Sequence, residues 1–227
     1  MTQFKILDCT LRDGGYYTNW SFDRSLVRSL VKSLDSQNVD VIEMGYKSPK
    51  IGGHYRKCND GYIKSVIDFN VNAKLAFMID VKDYITADRH GADQIDTKLL
   101  HDIIKPATVF SICRIAAKHD EIQFLPELIS IIHSLGYKVI CNLMQISKVT
   151  TDELLEFTNI FDEHSILAVY VADSYGALHP SDVKEIFEYV KLDGIHTHDN
   201  MGLAFANCIS ALDNGATWAD GTLTGMG

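Results

Sequence analysis

Two histidines separated by one residue, His196 and His198, are the strongest chemical signal in the chain; they stand in Gly194-Ile195-His196-Thr197-His198-Asp199-Asn200. On a strand, side chains two apart project to the same face, so the two imidazoles stand side by side. Such a pair fills a core poorly, because each ring carries two nitrogens that need partners. It suits a borderline divalent cation and leaves room for a carboxylate and an open position. At the other end of the chain, Asp8-Cys9-Thr10-Leu11-Arg12-Asp13 sets a permanently charged guanidinium beside a carboxylate. Asp13 is the best third ligand, and a set of two histidines and a carboxylate acts as a Lewis-acid centre. Arg12 beside it could hold an oxo acid or steady a developing enolate. The plainer role for Arg12 is a buried pair with Asp8 that braces the barrel, and Glu43 is placed to brace the same arginine.

These residues need a scaffold that brings both chain ends together. Strand and helix patterns alternate throughout. Residues 4–11, 39–45, 73–80, 108–113, 137–143, 166–172, the histidine segment and 217–222 read as eight strands. Apolar residues at helical spacing predict seven helices between them. The first is capped by Asp23, the second spans roughly 62–69, and Ile95 to Ile104 mark the third. Gly136 closes the fourth, Thr151 caps the fifth, Pro180 opens the sixth and Gly215 closes the seventh. Continuous apolar strands covered by helices belong to parallel sheets. Eight such units predict an α/β fold, a closed (β/α)8 TIM barrel forming one domain over residues 1–227. A doubly wound sheet would show a G-x-G-x-x-G first turn, which is absent. The sequence stops just after strand eight, so the eighth helix is missing and the barrel is expected to be truncated at its C-terminus. Each large apolar side chain left in water on that flank forfeits about 1.5–3 kcal/mol. The flank is therefore expected to be covered by a second subunit, as in a homo-oligomer, or by the rest of a longer protein.

In such a barrel the reacting groups sit at the C-terminal strand ends. Those ends offer Asp8, Thr10, Arg12 and Asp13, then Glu43 and Tyr46, Asp80, Arg114, Asn142 and Gln145, Asp173 and Ser174, His196, His198 and Asn200, and finally Asp220 and Thr222. Asp13, His196 and His198 are the expected metal ligands. Glu43, Arg114, Asn142, Asp173 and Asn200 are the candidates for substrate contact.

The bulk numbers narrow the partners. The chain is 46% hydrophobic, enough for one substantial core. With 21 Lys+Arg against 30 Asp+Glu the formal charge is −9, which argues against nucleic acid and anionic membrane. The five cysteines are odd in number and include no C-x-x-C pair, so free thiols in a reducing compartment are expected. No signal peptide and no membrane-length apolar run is present, so the expected location is the cytoplasm.

The opening Leu7-Asp8-Cys9-Thr10-Leu11-Arg12-Asp13-Gly14 resembles the D-x-T-L-R-D-G start of the metal-dependent lyase and aldolase barrels. These include hydroxymethylglutaryl-CoA lyase, 4-hydroxy-2-oxovalerate aldolase, and the isopropylmalate and homocitrate synthases. The segment from His196 to Gly202, with Ala204, Asn207, Gly215 and Asp220-Gly221-Thr222, resembles their H-x-H-[ND]-x-G-x-A-x-A-N stretch and the strand after it. Ala172-Asp173-Ser174-Tyr175-Gly176 is similar to their strand-six signature, and the likeness is greatest to the 4-hydroxy-2-oxovalerate aldolase type. The resemblance implies a divalent cation on Asp13, His196 and His198, with Mn2+ or Mg2+ first and Zn2+ or Co2+ as alternatives. It implies that Arg12 polarises the 2-oxo group of a small 2-oxo acid, in a reversible aldol cleavage giving pyruvate and an aldehyde. The aldolases place a histidine three residues after the metal aspartate as base. Tyr16 holds that position here and is the candidate for the role. A further Asn ligand beyond strand eight, and a C-terminal helical region that contacts an acylating aldehyde dehydrogenase, have no counterpart in these residues. Two other readings stand beside the aldolase. One is an acyl-CoA/2-oxo acid condensing enzyme of the same barrel type. The other is a weakly active metal-binding barrel that serves as a subunit.

Overall fold

Short β/α units leave each strand beside the next, and right-handed crossovers keep them parallel. The computed structural model describes residues 4–50, 58–162 and 165–225. Eight strands pair in chain order: β1 (Lys5–Asp8), β2 (Val41–Tyr46), β3 (Lys74–Asp80), β4 (Ile112–Ala117), β5 (Lys138–Leu143), β6 (Ala168–Asp173), β7 (Gly194–Thr197) and β8 (Trp218–Gly221). The ring closes where β1 pairs with β8, Lys5 opposite Trp218 and Asp8 opposite Gly221. The expected (β/α)8 barrel is therefore the observed one.

The connecting helices are α1 (Arg24–Ser36), α2 (Asp60–Val66), α3 (Thr97–Ile103), α4 (Leu125–Ser134), α5 (Thr151–Asn159), α6 (Pro180–Tyr189) and α7 (Ala204–Asp213). Asp23 caps α1 through Ser25 N–H and Leu26 N–H, as expected. Pro180 is the first residue of α6, and Gly136 and Gly215 follow α4 and α7 at φ of +88° and +105°. Several boundaries move. Helix α2 starts earlier, on the Asn59 cap, and stops at Val66, because Ile67 leaves helical dihedrals (φ −102°, ψ 75°). Thr150, not Thr151, caps α5, in a reciprocal box with Glu153. Helix α3 begins only after Asp96, which caps it through Leu99 N–H. Ile95 belongs instead to an unforeseen antiparallel hairpin, Ile85–Ala87 against Asp93–Ile95. Strand β4 lies four residues later than expected. Its frame is set by pairing with β3, from Ala76 opposite Ile112 to Asp80 opposite Ala116, and an apolar run alone does not say where pairing begins. Strand β7 ends at Thr197, one residue before His198.

Period two then stacks the barrel interior in layers. Leu7, Val41, Ala76, Ile112, Ile140, Tyr170 and Trp218 form one buried apolar cluster. Two residues further along the same strands stand Cys9, Glu43, Arg114, Asn142 and Asp220, the polar layer beneath the site. Gly194 makes this stacking possible, since a Cβ there would fall inside the Tyr170 ring. A larger core between the strands and the helices includes Val27, Val31, Phe77, Leu128, Ile132, Phe157 and Val183, all essentially inaccessible to water. Beyond β8 the described chain makes a short 3-10 turn, Leu223–Gly225. On the neighbouring β1 and α7, Ile6, Phe205 and Ile209 stay exposed. None of the five cysteines is in a disulfide. No helix among the described residues is long and apolar enough to cross a membrane.

Candidate metal centre and active site

The first ligand-bearing segment is not a strand end but a tight helical turn. After β1, Thr10–Asp13 coils once, and its backbone closes through Asp13 N–H to Cys9 C=O. The turn swings Asp13 and Arg12 inward, where they are 2% and 5% exposed. Across the barrel mouth, His196 on β7 and His198 just beyond it bring their Nε2 atoms within 3.3 Å, with the rings edge-on at 79°. The Asp13 Oδ2 atom lies 3.6 Å from the His196 Nε2. The three expected ligands therefore meet around one imidazole nitrogen. The two separations from His196, 3.3 Å to His198 and 3.6 Å to Asp13, are of the length expected for edges of a coordination polyhedron built on metal–ligand distances of about 2.0–2.2 Å.

The chemistry of the donors supports the same fit. Asp13 Oδ1 is engaged by Arg12 Nη1, but Oδ2 is buried with no hydrogen-bond partner among the described residues. A buried orphan acceptor costs roughly 1–3 kcal/mol, so its retention here calls for a reason. Burial works to raise the Asp13 pKa, but the Arg12 guanidinium and then His196 hold it below the usual carboxylate range. The group is an anion ready to accept. His196 faces the Asp220 Oδ2 through Nδ1 at 2.8 Å. An ionised carboxylate only accepts, which assigns the proton to Nδ1 and the lone pair to Nε2, toward Asp13 and His198.

Asp220 was among the strand-end residues but not among the expected site residues. The signal that finds it is register. Trp218 pairs with Gly194, so Asp220 and His196, each two residues on, stand side by side in the same interior layer. Burial raises the Asp220 pKa, yet Arg114 and the His196 hydrogen bond pull it below the usual range.

Arg114 is displaced from its expected role. Because β4 starts late, Arg114 sits mid-strand and wholly buried. Its Nη2 lies 2.5 Å from Asp220 Oδ2, its Nη1 3.6 Å from Glu43 Oε2, and its guanidinium covers the Tyr170 ring at 4.6 Å. Glu43 does brace Arg12, accepting from Nε at 2.7 Å. The pairing of Arg12 with Asp8 is not formed; the Asp8 carboxylate accepts instead from the Thr10 hydroxyl and N–H, and burial pushes its pKa up to about 6. The charges thus run Asp13, Arg12, Glu43, Arg114, Asp220, His196 and back to Asp13, a closed buried circuit beneath the mouth. Donors in it remain without a hydrogen-bond partner, Arg114 Nε among them, and the one on the arginine beside Asp13 is the buried Arg12 Nη2.

The remaining candidates divide. Asn142 is 3% exposed with an unpartnered Oδ1. Asp173 is spent on the loop after β6, accepting from Ala177 N–H and Leu178 N–H at 3.0 Å. Asn200 lies on the exposed rim against Gly176, whose positive φ (+55°) and missing Cβ admit it. Tyr16 is 62% exposed. Its hydroxyl meets that of Tyr46 at 3.0 Å, and the Tyr46 ring faces Arg12 at 6.0 Å. A cleft of about 280 Å³, lined by Cys9, Asp13, His196, His198, Cys208 and Asp220 among others, opens the centre to solvent.

Comparison with known proteins supplies independent findings. The model of the HMGL-like family matches residues 3–227. The 4-hydroxy-2-oxovalerate aldolases of Carboxydothermus hydrogenoformans and Pelotomaculum thermopropionicum are 30% and 29% identical over 99% of this chain. The chain spans 66% of the length of each, just short of two thirds. Among solved structures, the N-terminal domain of a Bacteroides vulgatus protein described as an aldolase superposes with a TM-score of 0.78 at 29% identity, covering 98% of this chain and 74% of that one. Hydroxymethylglutaryl-CoA lyase from Pseudomonas aeruginosa shares the fold at a TM-score of 0.75 and 14% identity, covering 100% of this chain and 78% of that one.

Proposed function

The chain belongs to the HMGL-like family, and from that premise we propose that it is a divalent-metal-dependent carbon–carbon lyase that cleaves a 4-hydroxy-2-oxo acid to pyruvate and an aldehyde. The observation that carries the reading is the buried pair of unsatisfied atoms, Asp13 Oδ2 and Arg12 Nη2, set beside two histidine Nε2 atoms. Asp13, His196 and His198 would hold the cation, Mn2+ or Mg2+ before Zn2+ or Co2+. When bound, it supplies Lewis-acid polarisation of the 2-oxo acid.

The residues of the chain do the rest. Cleavage removes the 4-hydroxyl proton, breaks the C3–C4 bond and sends its electron pair to the former 2-oxo oxygen. Arg12 Nη2 donates to that oxygen as charge builds, a preorganised contact because Glu43 and Asp13 already hold the other guanidinium nitrogens. Asn142 and Asn200 remain the candidates for direct substrate contact. Glu43, Arg114 and Asp173 act one step back, holding Arg12, Asp220 and the loop after β6. Tyr16, its own phenol proton first passed to solvent, takes the 4-hydroxyl proton at the rim with the Tyr46 hydroxyl donating to it, and a proton returned to C3 of the enolate completes pyruvate.

Two measurements test this reading. Chelated protein is expected to release no pyruvate from 4-hydroxy-2-oxo acids, and added Mn2+ to restore release; unchanged turnover after chelation would remove the centre from the reaction. Tyr16→Phe is expected to lower kcat by about 10²-fold, the ordinary contribution of a positioned proton acceptor, with Mn2+ affinity unchanged. A kcat equal to that of the parent chain would take Tyr16 out of the mechanism.

A further inference from the structure

His196 presents two nitrogens to two different surroundings. On one side lie Asp13 and His198. On the other lies Asp220, at Nδ1, and a second group of ligand atoms converges on the same imidazole: Cys9 (which also neighbours Asp13), His196 and Asp220 each place one within 4.8 Å of the others. Cys9 follows β1 directly, at the start of the Thr10–Asp13 turn, 1% exposed, with its thiol donating to Gly221 C=O at 3.4 Å. Asp220 comes from the adjacent β8 with its side chain 1% exposed. One Asp220 oxygen, Oδ2, serves His196 and Arg114. The other, Oδ1, is buried with no hydrogen-bond partner among the described residues. Arg114 opposes a cation here. Against that, the carboxylates of Asp13, Glu43 and Asp220 outnumber the guanidiniums of Arg12 and Arg114 in the circuit. The cleft that reaches Asp13 and His198 also reaches Cys9 and Asp220, so an ion arriving from solvent meets both groups.

The two groups differ in softness. Oxygen and imidazole suit Mn2+ and Mg2+, whereas a sulfur, a nitrogen and an oxygen donor together suit Zn2+ and Cd2+. We propose that Cys9, His196 and Asp220 form a second cation site, selective for thiophilic ions, that shares His196 with the Asp13–His196–His198 centre and competes with it. On binding, the Cys9 S–H bond breaks and its proton passes to solvent, the His196 Nδ1 proton is released to solvent while Nε2 takes one up, and the sulfur and Nδ1 lone pairs bond the ion with no change of oxidation state. His196 turns its coordination from one centre to the other, so a thiophilic ion in this site withdraws a ligand from the first. Only the competition rests on the aldolase reading; sulfur coordination stands apart from it.

The test is a Cd2+ titration of the chelated chain, followed by the ultraviolet sulfur-to-cadmium charge-transfer band. The band is expected to saturate at one ion per chain, to vanish in Cys9→Ser and to persist in Cys208→Ser, the other thiol on the cleft. No band, or a band carried by Cys208, would overturn the site. Asp220→Asn keeps the proposal testable should the Cys9 variant not fold. It is expected to retain the band while weakening Cd2+ binding at least about tenfold, and unchanged Cd2+ affinity there would count against Asp220 as a ligand. In turnover, Zn2+ is expected to inhibit the Mn2+-supported reaction, and Cys9→Ser to raise the half-inhibiting Zn2+ concentration about tenfold or more. A chain that shows the band but releases no pyruvate with Mn2+ keeps this site and loses the aldolase reading; Mn2+-dependent pyruvate release without the band does the reverse.

Discussion

Asp13→Ala is expected to abolish pyruvate release, by about 10³-fold or more in kcat/KM, and to weaken Mn2+ binding at least about 10²-fold. Asp13 is the only carboxylate facing the His196 Nε2 among the described ion pairs, at 3.6 Å. Without it two neutral imidazoles are left to hold a divalent ion. The fold is expected to survive. Removing Asp13 leaves Arg12 Nη1 without its acceptor, while Glu43 still holds Nε at 2.7 Å. That change costs about 1–3 kcal/mol at most and is partly offset, because the orphan Oδ2 disappears with it. Circular dichroism and a denaturant titration separate this loss from unfolding. Calorimetric titration with Mn2+ reads the affinity directly, and a variant that binds Mn2+ within a few-fold of the parent would show that the ion sits elsewhere.

Much of the candidate centre is legible in the sequence itself. The histidine pair was readable because period two is a property of one strand and needs no knowledge of neighbours. Arg12 and Asp13 were readable by residue type, and Glu43 as the brace of Arg12 proved to be the observed pairing. What escaped depends on relations between strands. Asp220 became the partner of His196 only through the register of β8 against β7, and register is decided by closure of the whole barrel. The displacement of Arg114 has the same origin: a start four residues later moves a strand-end side chain to mid-strand and turns it from a rim residue into a buried counter-ion for Asp220. Asp173 shows a different ambiguity. A carboxylate at a strand end looks alike whether it meets substrate or the N–H groups of its own loop, and here Ala177 and Leu178 take it. The hairpin at Ile85–Ala87 and Asp93–Ile95 was missed because its three-residue arms are too short to show alternation.

Arg12→Lys is the second large effect, and its signature differs from that of Asp13. It is expected to lower kcat by about 10²–10³-fold, the usual range for losing one preorganised donor to a developing oxyanion, while leaving Mn2+ affinity within a few-fold. The argument is geometric. The guanidinium serves three directions at once: Nε to Glu43, Nη1 to Asp13 and the buried, unpartnered Nη2. Lysine keeps the charge, so Glu43 and Asp13 keep a counter-ion and the barrel stays folded. Its single ammonium is a point charge that settles between the two carboxylates and cannot also reach the position of Nη2. Substrate binding is weakened far less than turnover, because the donor counts most when charge appears on the oxygen. Steady-state kinetics with saturating Mn2+ separate the two parameters. A lysine variant with kcat within threefold of the parent, or one whose whole loss lies in KM, would assign Nη2 to ground-state binding and take Arg12 out of the bond-breaking step.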